Sequence, residues 1–322
     1  MSISLKGYDA KGEEIKLPAI LWYEHTIKRL GFEETFLVGF SKNVTFNLAK
    51  VIVKKENNKQ SECFVDYIEL DANKNGFFCR VLLKNIVCRL FENQVAPKIY
   101  KTFTLKKMLN KYAKEYDFIC NIKETDEIEI ENFYVDAAMT PLQVIELYFQ
   151  AVFKKSVFLT ENKNLTFPFS PVNPIYFDNK QQTKKYVDGI KYNYLKMLDD
   201  RSSLISNAYI KIVYEDNESE FLNLTEENQF AINCNIMRVK YCDVPKQWQI
   251  LPKNGAEYMI KKENIKRFLY EIATFEDVDI YPGMLVFVEE INQNMPLLIV
   301  KVKTYYNENG KETKIFLRNS KI

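Results

Sequence analysis

Glycine is scarce in this chain, 9 of 322 residues. No Walker A loop and no Gly-x-Gly-x-x-Gly turn occurs, which removes the usual glycine-built phosphate cradles. There is one histidine, His25. A serine–histidine or cysteine–histidine nucleophile would have to use it, and no Gly-x-Ser-x-Gly or cysteine signature lies near it. It is read as a surface or satisfied core residue. A catalytic zinc site would need carboxylates or thiolates without the usual histidines. The six cysteines, Cys63, Cys79, Cys88, Cys120, Cys234 and Cys242, sit singly in apolar runs, and no pair has metal-clip spacing. No signal-peptide pattern opens the sequence, so buried free thiols in a reducing compartment are expected. Net charge is +2, which gives no bulk electrostatic case for nucleic acid or an anionic membrane. No window approaches the ~18–20 apolar residues needed to cross a bilayer.

What is present is a long, aromatic-rich chain with 47% hydrophobic and 27% charged residues, 20 tyrosines and 23 phenylalanines. That length allows two to four compact domains. The most legible stretch runs from Phe103 to Thr166. Leu105, Met108, Leu109, Tyr112, Ala113 and Tyr116 form one apolar helical stripe beginning at Thr104. A second stripe, Leu142, Ile145, Phe149 and Val152, follows Thr140-Pro141-Leu142-Gln143. That tetrad has the form of a capping box with proline at the first helical position. Short strands are expected after each helix, at Phe118 to Ile122 and Val157 to Thr160. Leu105, Met108 and Tyr112 map onto Leu142, Ile145 and Phe149 with one offset, a weak internal repeat.

Residues up to about Asn93 read as β. Phe36, Val38 and Phe40 alternate with other residues, as do Phe46 and Leu48, then Val51 and Val53. Lys54 to Glu62 reads as a polar hairpin loop, and Asp71 to Gly76 as a turn ending in Asn75-Gly76. The run Phe77 to Leu83 is apolar on both faces. Five or six such strands predict a small barrel or sandwich. Gln94 to Lys101 reads as a connector. Three prolines, Pro168, Pro171 and Pro174, mark a boundary. Ala208 to Tyr214 and Glu220 to Leu224 read as a hairpin around Asp216-Asn217, and Asn233 to Tyr241 as a further strand. Lys262 to Thr274 carries a helical stripe of Ile265, Phe268, Leu269 and Ile272. A Pro282-Gly283 turn and strands at Met284 to Val288, Leu298 to Val302 and Ile315 to Leu317, with a turn at Asn309-Gly310, make a second β module. The domain reading is 1–95 N-terminal β module, 96–174 α/β middle, 175–245 β-rich and unassigned, and 246–322 C-terminal β module.

Carboxylate pairs are densest at Glu276, Asp277 and Asp279 and at Glu289-Glu290, where solvated strand ends are the simpler reading. Asp199-Asp200-Arg201 reads as a solvated loop. A wall hydrolase using carboxylates and a carbohydrate-binding module stacking sugars on Trp22, Tyr23 and Trp248 stay open as alternatives. No catalytic, cofactor-binding or metal residue is assigned, and a non-enzyme is expected.

The order of parts resembles a known family. Residues 96–122 (APKIYKTFTLKKMLNKYAKEYDFICNI), 133–167 (FYVDAAMTPLQVIELYFQAVFKKSVFLTENKNLTF) and 279–317 (DIYPGMLVFVEEINQNMPLLIVKVKTYYNENGKETKIFL) are similar to the baseplate hub proteins of contractile phage tails. These form the late-control gene D group, and the XkdQ-type members of defective prophages and phage-tail-like bacteriocins look nearest. The resemblance rests on Thr104-Leu105 before the first helix, Val135 to Gln143 before the second, a polar hairpin at Asn162 to Asn164, and the Pro282-Gly283 turn with its valine-rich strand. It covers about 60 middle and 45 C-terminal residues in element order and small signatures. Residues 175–245 match loosely, and Thr304, Tyr305 and Tyr306 stand where the family often has a histidine. The resemblance implies an α+β fold in which two tube-like β-barrel modules flank a helix-strand middle. It implies a homotrimer that adapts a threefold spike to a sixfold tail tube and nucleates that tube. The implied partners are tail tube protein, spike protein and other baseplate or tape-measure components, with no cofactor. The implied location is the bacterial cytoplasm during assembly, then a phage tail or phage-tail-like particle.

Overall fold

The computed structural model describes residues 3–28, 33–55, 59–73, 76–120, 128–136, 138–153, 155–160, 163–168, 175–177, 189–213, 219–223, 227–242, 260, 264, 266–291 and 295–319. In chain order the elements are β1 (Ile3–Asp9), β2 (Glu14–Ile15), β3 (Ile20–Lys28), β4 (Glu33–Phe40), β5 (Leu48–Lys55), β6 (Gln60–Asn73), β7 (Gly76–Asn85), α1 (Arg89–Glu92), β8 (Lys98–Thr104), α2 (Leu105–Tyr112), β9 (Ile119–Cys120), β10 (Glu129–Val135), α3 (Pro141–Phe153), β11 (Phe158–Leu159), β12 (Asn164–Thr166), β13 (Ile175–Phe177), β14 (Tyr194–Asp199), β15 (Asn207–Val213), β16 (Ser219–Asn223), α4 (Gln229–Asn233), β17 (Val239–Cys242), β18 (Phe268–Thr274), β19 (Leu285–Val288), β20 (Leu297–Asn307) and β21 (Gly310–Asn319). The described part is mostly β-sheet, mostly antiparallel, with few helices. The chain forms two compact units: Met1–Glu92, Phe158–Leu195 and Glu271–Leu317 in one, and Asn93–Val157, Lys196–Tyr270 and Arg318–Ile322 in the other.

The first unit is built on a sheet in which β18, β21, β20, β3, β4, β7, β6, β5, β1 and β2 follow one another, with β19 beside β20 and β13 beside β19. Its core face follows from strand parity. Phe36, Val38 and Phe40 of β4, Val51 and Val53 of β5, and Cys79, Val81 and Leu83 of β7 are all buried in one cluster with Tyr23 of β3. Strand β20 pairs with β3 in the register Tyr306 to Tyr23, Thr304 to His25 and Lys301 to Lys28, and the Tyr23 and Tyr306 rings stack at 5.4 Å. Strands from the two ends of the sequence therefore run in one sheet, where separate N- and C-terminal barrels were expected. Among the described residues no pairing joins the sheet's outer strands, so the expected closed barrels are corrected to an open sheet.

The β20–β21 hairpin turns at Asn309-Gly310 as the dipeptide predicts, with Gly310 at φ 117°. Gly283, in the Pro-Gly turn, has φ 99°, and an added Cβ would lie 2.8 Å from the Phe158 ring. Only glycine suits both demands. Two expectations fail here, and a third lies partly outside the described residues. The Lys262 to Thr274 segment ends in strand β18 rather than helix, because Phe268, Tyr270 and Ile272 also alternate with period two. Phe46 lies in the β4–β5 connection, outside any strand. The Asn75-Gly76 turn reaches Asn75, outside the described residues, although β6 and β7 pair up to Asn73 and Gly76.

In the second unit, α2 and α3 pack together. Thr104 caps α2, its hydroxyl accepting from the Lys107 amide at 3.2 Å. The capping box forms at α3: Gln143 N–H donates to Thr140 Oγ1 at 3.3 Å, and Thr140 N–H to Gln143 Oε1 at 2.8 Å. Leu105, Met108 and Tyr112, and their counterparts Leu142, Ile145 and Phe149, are buried. Of the expected connector at Gln94 to Lys101, residues 94–97 are a connector, while Lys98 to Lys101 begin β8, which pairs with β10. Phe103 of β8 stacks on Phe133 of β10 at 4.5 Å and meets Tyr148 of α3 edge-on at 5.9 Å. A separate sheet has the order β16-β15-β17. The expected hairpin of Ala208 to Tyr214 with Glu220 to Leu224 is β15–β16, its Asp216-Asn217 turn lying outside the described residues. The expected strand at Asn233 to Tyr241 is instead the end of α4, a turn, and β17.

Candidate assembly surface

The N-terminal strands carry a buried ionic network on their core face. Glu34 of β4 accepts from His25 Nε2 of β3 at 2.8 Å and from Ser61 Oγ of β6 at 2.8 Å, and is ion-paired to Lys55 Nζ of β5. The Cys88 thiol donates to the Glu34 carbonyl at 3.7 Å. His25 and Lys55 side chains are 15% exposed and Glu34 13%. His25 stacks on Phe36 at 4.3 Å. In the sheet, β7 and β6 separate β4 from β5. Three strand spacings in a flat sheet are about 14 Å, with side chains standing perpendicular. A direct Glu34–Lys55 contact therefore requires this part of the sheet to curl around its core.

Burial alone would raise the Glu34 carboxyl, but the hydrogen bond from His25 and the Lys55 charge outweigh it and hold the group well below the usual carboxylate range. Burial also lowers the His25 pKa, against the pull of Glu34, so the ring stays neutral and donates. The thiols beside the network are inert: burial raises Cys88 to about 12, and Cys63 is raised further.

The two ends of the curled wall differ. One end is charged, with Lys28 paired to Glu33 at 2.8 Å, and Lys84 to Asp66 at 3.0 Å and Glu92 at 2.5 Å. The other end, where β3 begins and the β4–β5 connection lies, mixes exposed apolar side chains with a charged cluster in which Arg80 pairs with Glu69 at 3.4 Å and Asp71 at 3.7 Å. Leu21, Phe46, Leu70 and Phe78 are exposed there, Phe46 at 69%. A half-open groove of about 180 Å³ sits among Trp22, Gly39, Phe40, Phe78 and Arg80. Trp22 lies against Gly39 so closely that a Cβ there would be 2.3 Å from its Nε1.

The residues weighed as sites from sequence are scattered. His25 is a satisfied core residue. Tyr23 is 3% exposed and stacked, so it offers no face to a sugar. Trp22 lines the groove, and Trp248 lies outside the described residues. Asp277 is paired with Lys311, and Asp279 accepts from the Tyr281 hydroxyl at 2.5 Å. Glu289 and Glu290 lie in a turn after β19. Asp199 is no solvated loop residue: Arg267 and Arg201 both grip it, at 2.8 Å and 2.9 Å, and Arg267 lies over the Phe230 ring at 3.8 Å. Asp200 accepts from the Ser202 amide at 2.9 Å. Among the described residues the carboxyls displaced by their surroundings, Glu34, Asp199, Asp200 and Asp277, all move downward. A glycosidase acid needs the opposite displacement. Cys63, Cys79 and Cys88 are buried free thiols, while Cys120 and Cys234 are partly exposed. Among the described residues no group of three His, Cys, Asp or Glu side chains is placed to hold a metal ion. Nor is any helix there long and apolar enough to cross a membrane. Sequence reasoning missed Glu34, Lys55 and Ser61, although each sits in phase with its strand's apolar positions.

No family model matches the chain, and no curated protein matches it in sequence. The fold is shared with phage tail and secretion-system proteins. It is similar to the tail protein from Neisseria meningitidis MC58, with TM-score 0.68 and 9% identity over 99% of this chain and 97% of that one. The 43 kDa tail protein of prophage MuSo2 from Shewanella oneidensis gives 0.67 and 11%, over 98% and 97%. The E. coli c3393 protein, a type VI secretion component described as similar to the T4 tail proteins gp27 and gp5, gives 0.56 and 10%, over 99% and 77%. At these identities the likeness is one of fold.

Proposed function

We propose that this chain is a structural hub of a tail baseplate, a homotrimer that adapts a threefold spike to a sixfold tail tube and nucleates tube assembly. The observation that carries this is the shared fold with two tail proteins over nearly the whole of both chains. The β3–β20 pairing supports it, because it joins N-terminal strands (within 1–95) and C-terminal strands (within 246–322) side by side. In this reading each set is one tube-like module, the C-terminal set completed by β13, and the helical middle (96–174) spaces the ring. Three copies then present six curled walls to a hexameric partner. No reaction is required: the work is templating, by a rigid sheet that fixes diameter and symmetry. Interfaces of order 2,000 Å² per pair would hold such a ring. Tube, spike and other baseplate or tape-measure components are the partners. The protein assembles in the bacterial cytoplasm and ends in the particle.

The test is imaging of particles from the producing cell, together with the mass of the purified chain. The reading expects density for this chain on the axis between tube and spike, and a trimer or a monomer that trimerises with its partner. A stable monomer retained on purified peptidoglycan, absent from the particle axis, would overturn it in favour of carbohydrate binding.

A further inference from the structure

A net charge of +2 hides a sharp division inside the second unit. Residues 93–114 carry six lysines, Lys98, Lys101, Lys106, Lys107, Lys111 and Lys114, and no acidic residue. Residues 115–131 carry seven acidic residues and one lysine. The structure sorts part of this charge onto the two strands of one ribbon. Strand β8 exposes Lys98 and Lys101, and strand β10 exposes Glu129 and Glu131. The remaining four lysines are exposed on and just after α2, and Lys107 reaches back to the Thr102 carbonyl at 3.3 Å, so α2 extends the basic region of β8. The pairing register keeps the two signs apart. Glu129 lies opposite Thr104, Glu131 opposite Thr102 and Lys98 opposite Val135. Among the described residues none of the six lysines and neither glutamate is ion-paired, Lys98 lying instead over the Tyr100 ring at 5.1 Å. The β10–β8 sheet has two strands only, so each has an outer edge with no neighbour among the described residues.

We infer that the basic β8 edge, extended by α2, binds the acidic β10 edge of a second copy of this chain. The inference rests on the homotrimer of the hub reading and assigns its contact. Charged edge strands ordinarily keep sheets from pairing with one another. Here the two edges of one ribbon carry opposite signs, so the groups that repel a like edge attract the other edge of the same chain, as opposite-charge pairs do across a sheet. Complementarity of charge selects the occupant. A second copy brings glutamates to the lysines and lysines to the glutamates, so both uncompensated edges are used in one repeating contact. A nucleic acid or another polyanion would meet Glu129 and Glu131 one strand spacing, about 5 Å, from the lysines it sought. The contact joins two different surfaces and is therefore head-to-tail, the kind that closes into a ring when its rotation allows.

The experiment follows the mass of the purified full chain by sedimentation velocity over a concentration series. Three variants are compared with wild type: Lys98→Glu with Lys101→Glu, Glu129→Lys with Glu131→Lys, and all four changes together. The four side chains are exposed, so circular dichroism and melting temperature should not move. Wild type is expected to self-associate at low salt and to come apart at about 1 M salt, where screening acts within ~3 Å. Each two-residue reversal should weaken association on the order of a hundredfold, because like charges then face each other. The fourfold variant, with both signs exchanged, should regain most of the loss. Mixing the two reversed variants should give even-numbered assemblies and no trimer, since a three-membered ring cannot alternate two kinds of subunit. A wild type that stays monomeric at every salt concentration overturns the contact. So does association that neither reversal weakens, or a fourfold variant no better than the two-residue ones. Each of these leaves the hub reading standing, because density for the chain between tube and spike is a separate observation. Density absent from that axis, with association and its rescue as expected, would sink the hub reading and keep the contact.

Discussion

Replacing Glu34 by Gln keeps the shape of the side chain and removes its charge. The carboxylate accepts from His25, Ser61 and Lys55 at once. Glutamine retains one carbonyl acceptor, so the Lys55 ammonium is left in a nearly buried site without its counter-charge. Breaking a buried pair from one side costs about 3–5 kcal/mol. Because the pair keeps some exposure, the lower figure is the expected one, about 3 kcal/mol. For a unit of this size that is a fall in melting temperature of roughly 6–12 °C. The assay is thermal unfolding followed by circular dichroism at pH 7. Adding Lys55→Met should recover most of the loss, since the orphan cation is then gone. A Glu34→Gln variant melting within about 1 °C of wild type would refute the account, against the shift expected from the same relation. Strict additivity of the two changes would refute it as well.

Acid should act on wild type in two steps. His25 is held neutral by burial, so below its ordinary 6.5 the unfolded chain takes up a proton that the folded chain refuses, and stability falls as pH drops. Glu34 is held low, so its contribution is complete above its ordinary 4.5 and is lost progressively below it. The part of the difference between wild type and Glu34→Gln that comes from the Glu34 charge should therefore shrink as pH falls below 4.5.

Phe103→Ala removes a fully buried ring that touches Phe133 and Tyr148. It should cost about 3–5 kcal/mol, read by urea unfolding with tyrosine fluorescence. Thr140→Ala deletes the acceptor for the Gln143 amide and should cost about 1 kcal/mol, with Thr140→Ser close to neutral in the same assay. Asp199→Asn weakens a carboxylate held by both Arg267 and Arg201. Faster amide exchange around β14 and α4 is expected, with the β8–β10 pair unchanged.

Local features were legible in the sequence because their causes are local. The capping box at Thr140, the helical stripes of α2 and α3, and the turns at Gly283 and Gly310 each depend on residues within a few positions. The pairing of β3 with β20 depends on residues about 280 positions apart, and no turn signal announces it. The stripe before β18 is ambiguous because Phe268 and Ile272 satisfy both periods. β10 was hidden by its acidic composition, and Asn132 at φ 51° interrupts its alternation. The ionic network left a signal that went unread. Glu34 is in phase with Phe36, Val38 and Phe40, Lys55 with Val51 and Val53, and Ser61 with Cys63. Charges on the apolar parity of three strands already point inward and toward one another.

The placement of that network suggests what it contributes beyond stability. An ion pair seldom outperforms apolar groups of the same volume, so stability alone is a weak reason to bury one. A core of valine, phenylalanine and leucine, by contrast, tolerates small changes in how tightly a sheet bends. The Glu34–Lys55 contact bridges strands three places apart across the curl, so it ties the bend to one geometry. In the proposed hub, a ring that would set the bore of a tube, curvature is the property that must not vary. The double variant Glu34→Met with Lys55→Met should therefore melt close to wild type. On the hub reading its rings, measured by class averages of negatively stained particles, should spread in diameter, and wild-type rings should be uniform. Uniform rings from the apolar pair would mean that packing alone fixes the bend, and the network would then be left with no role beyond its hydrogen bonds.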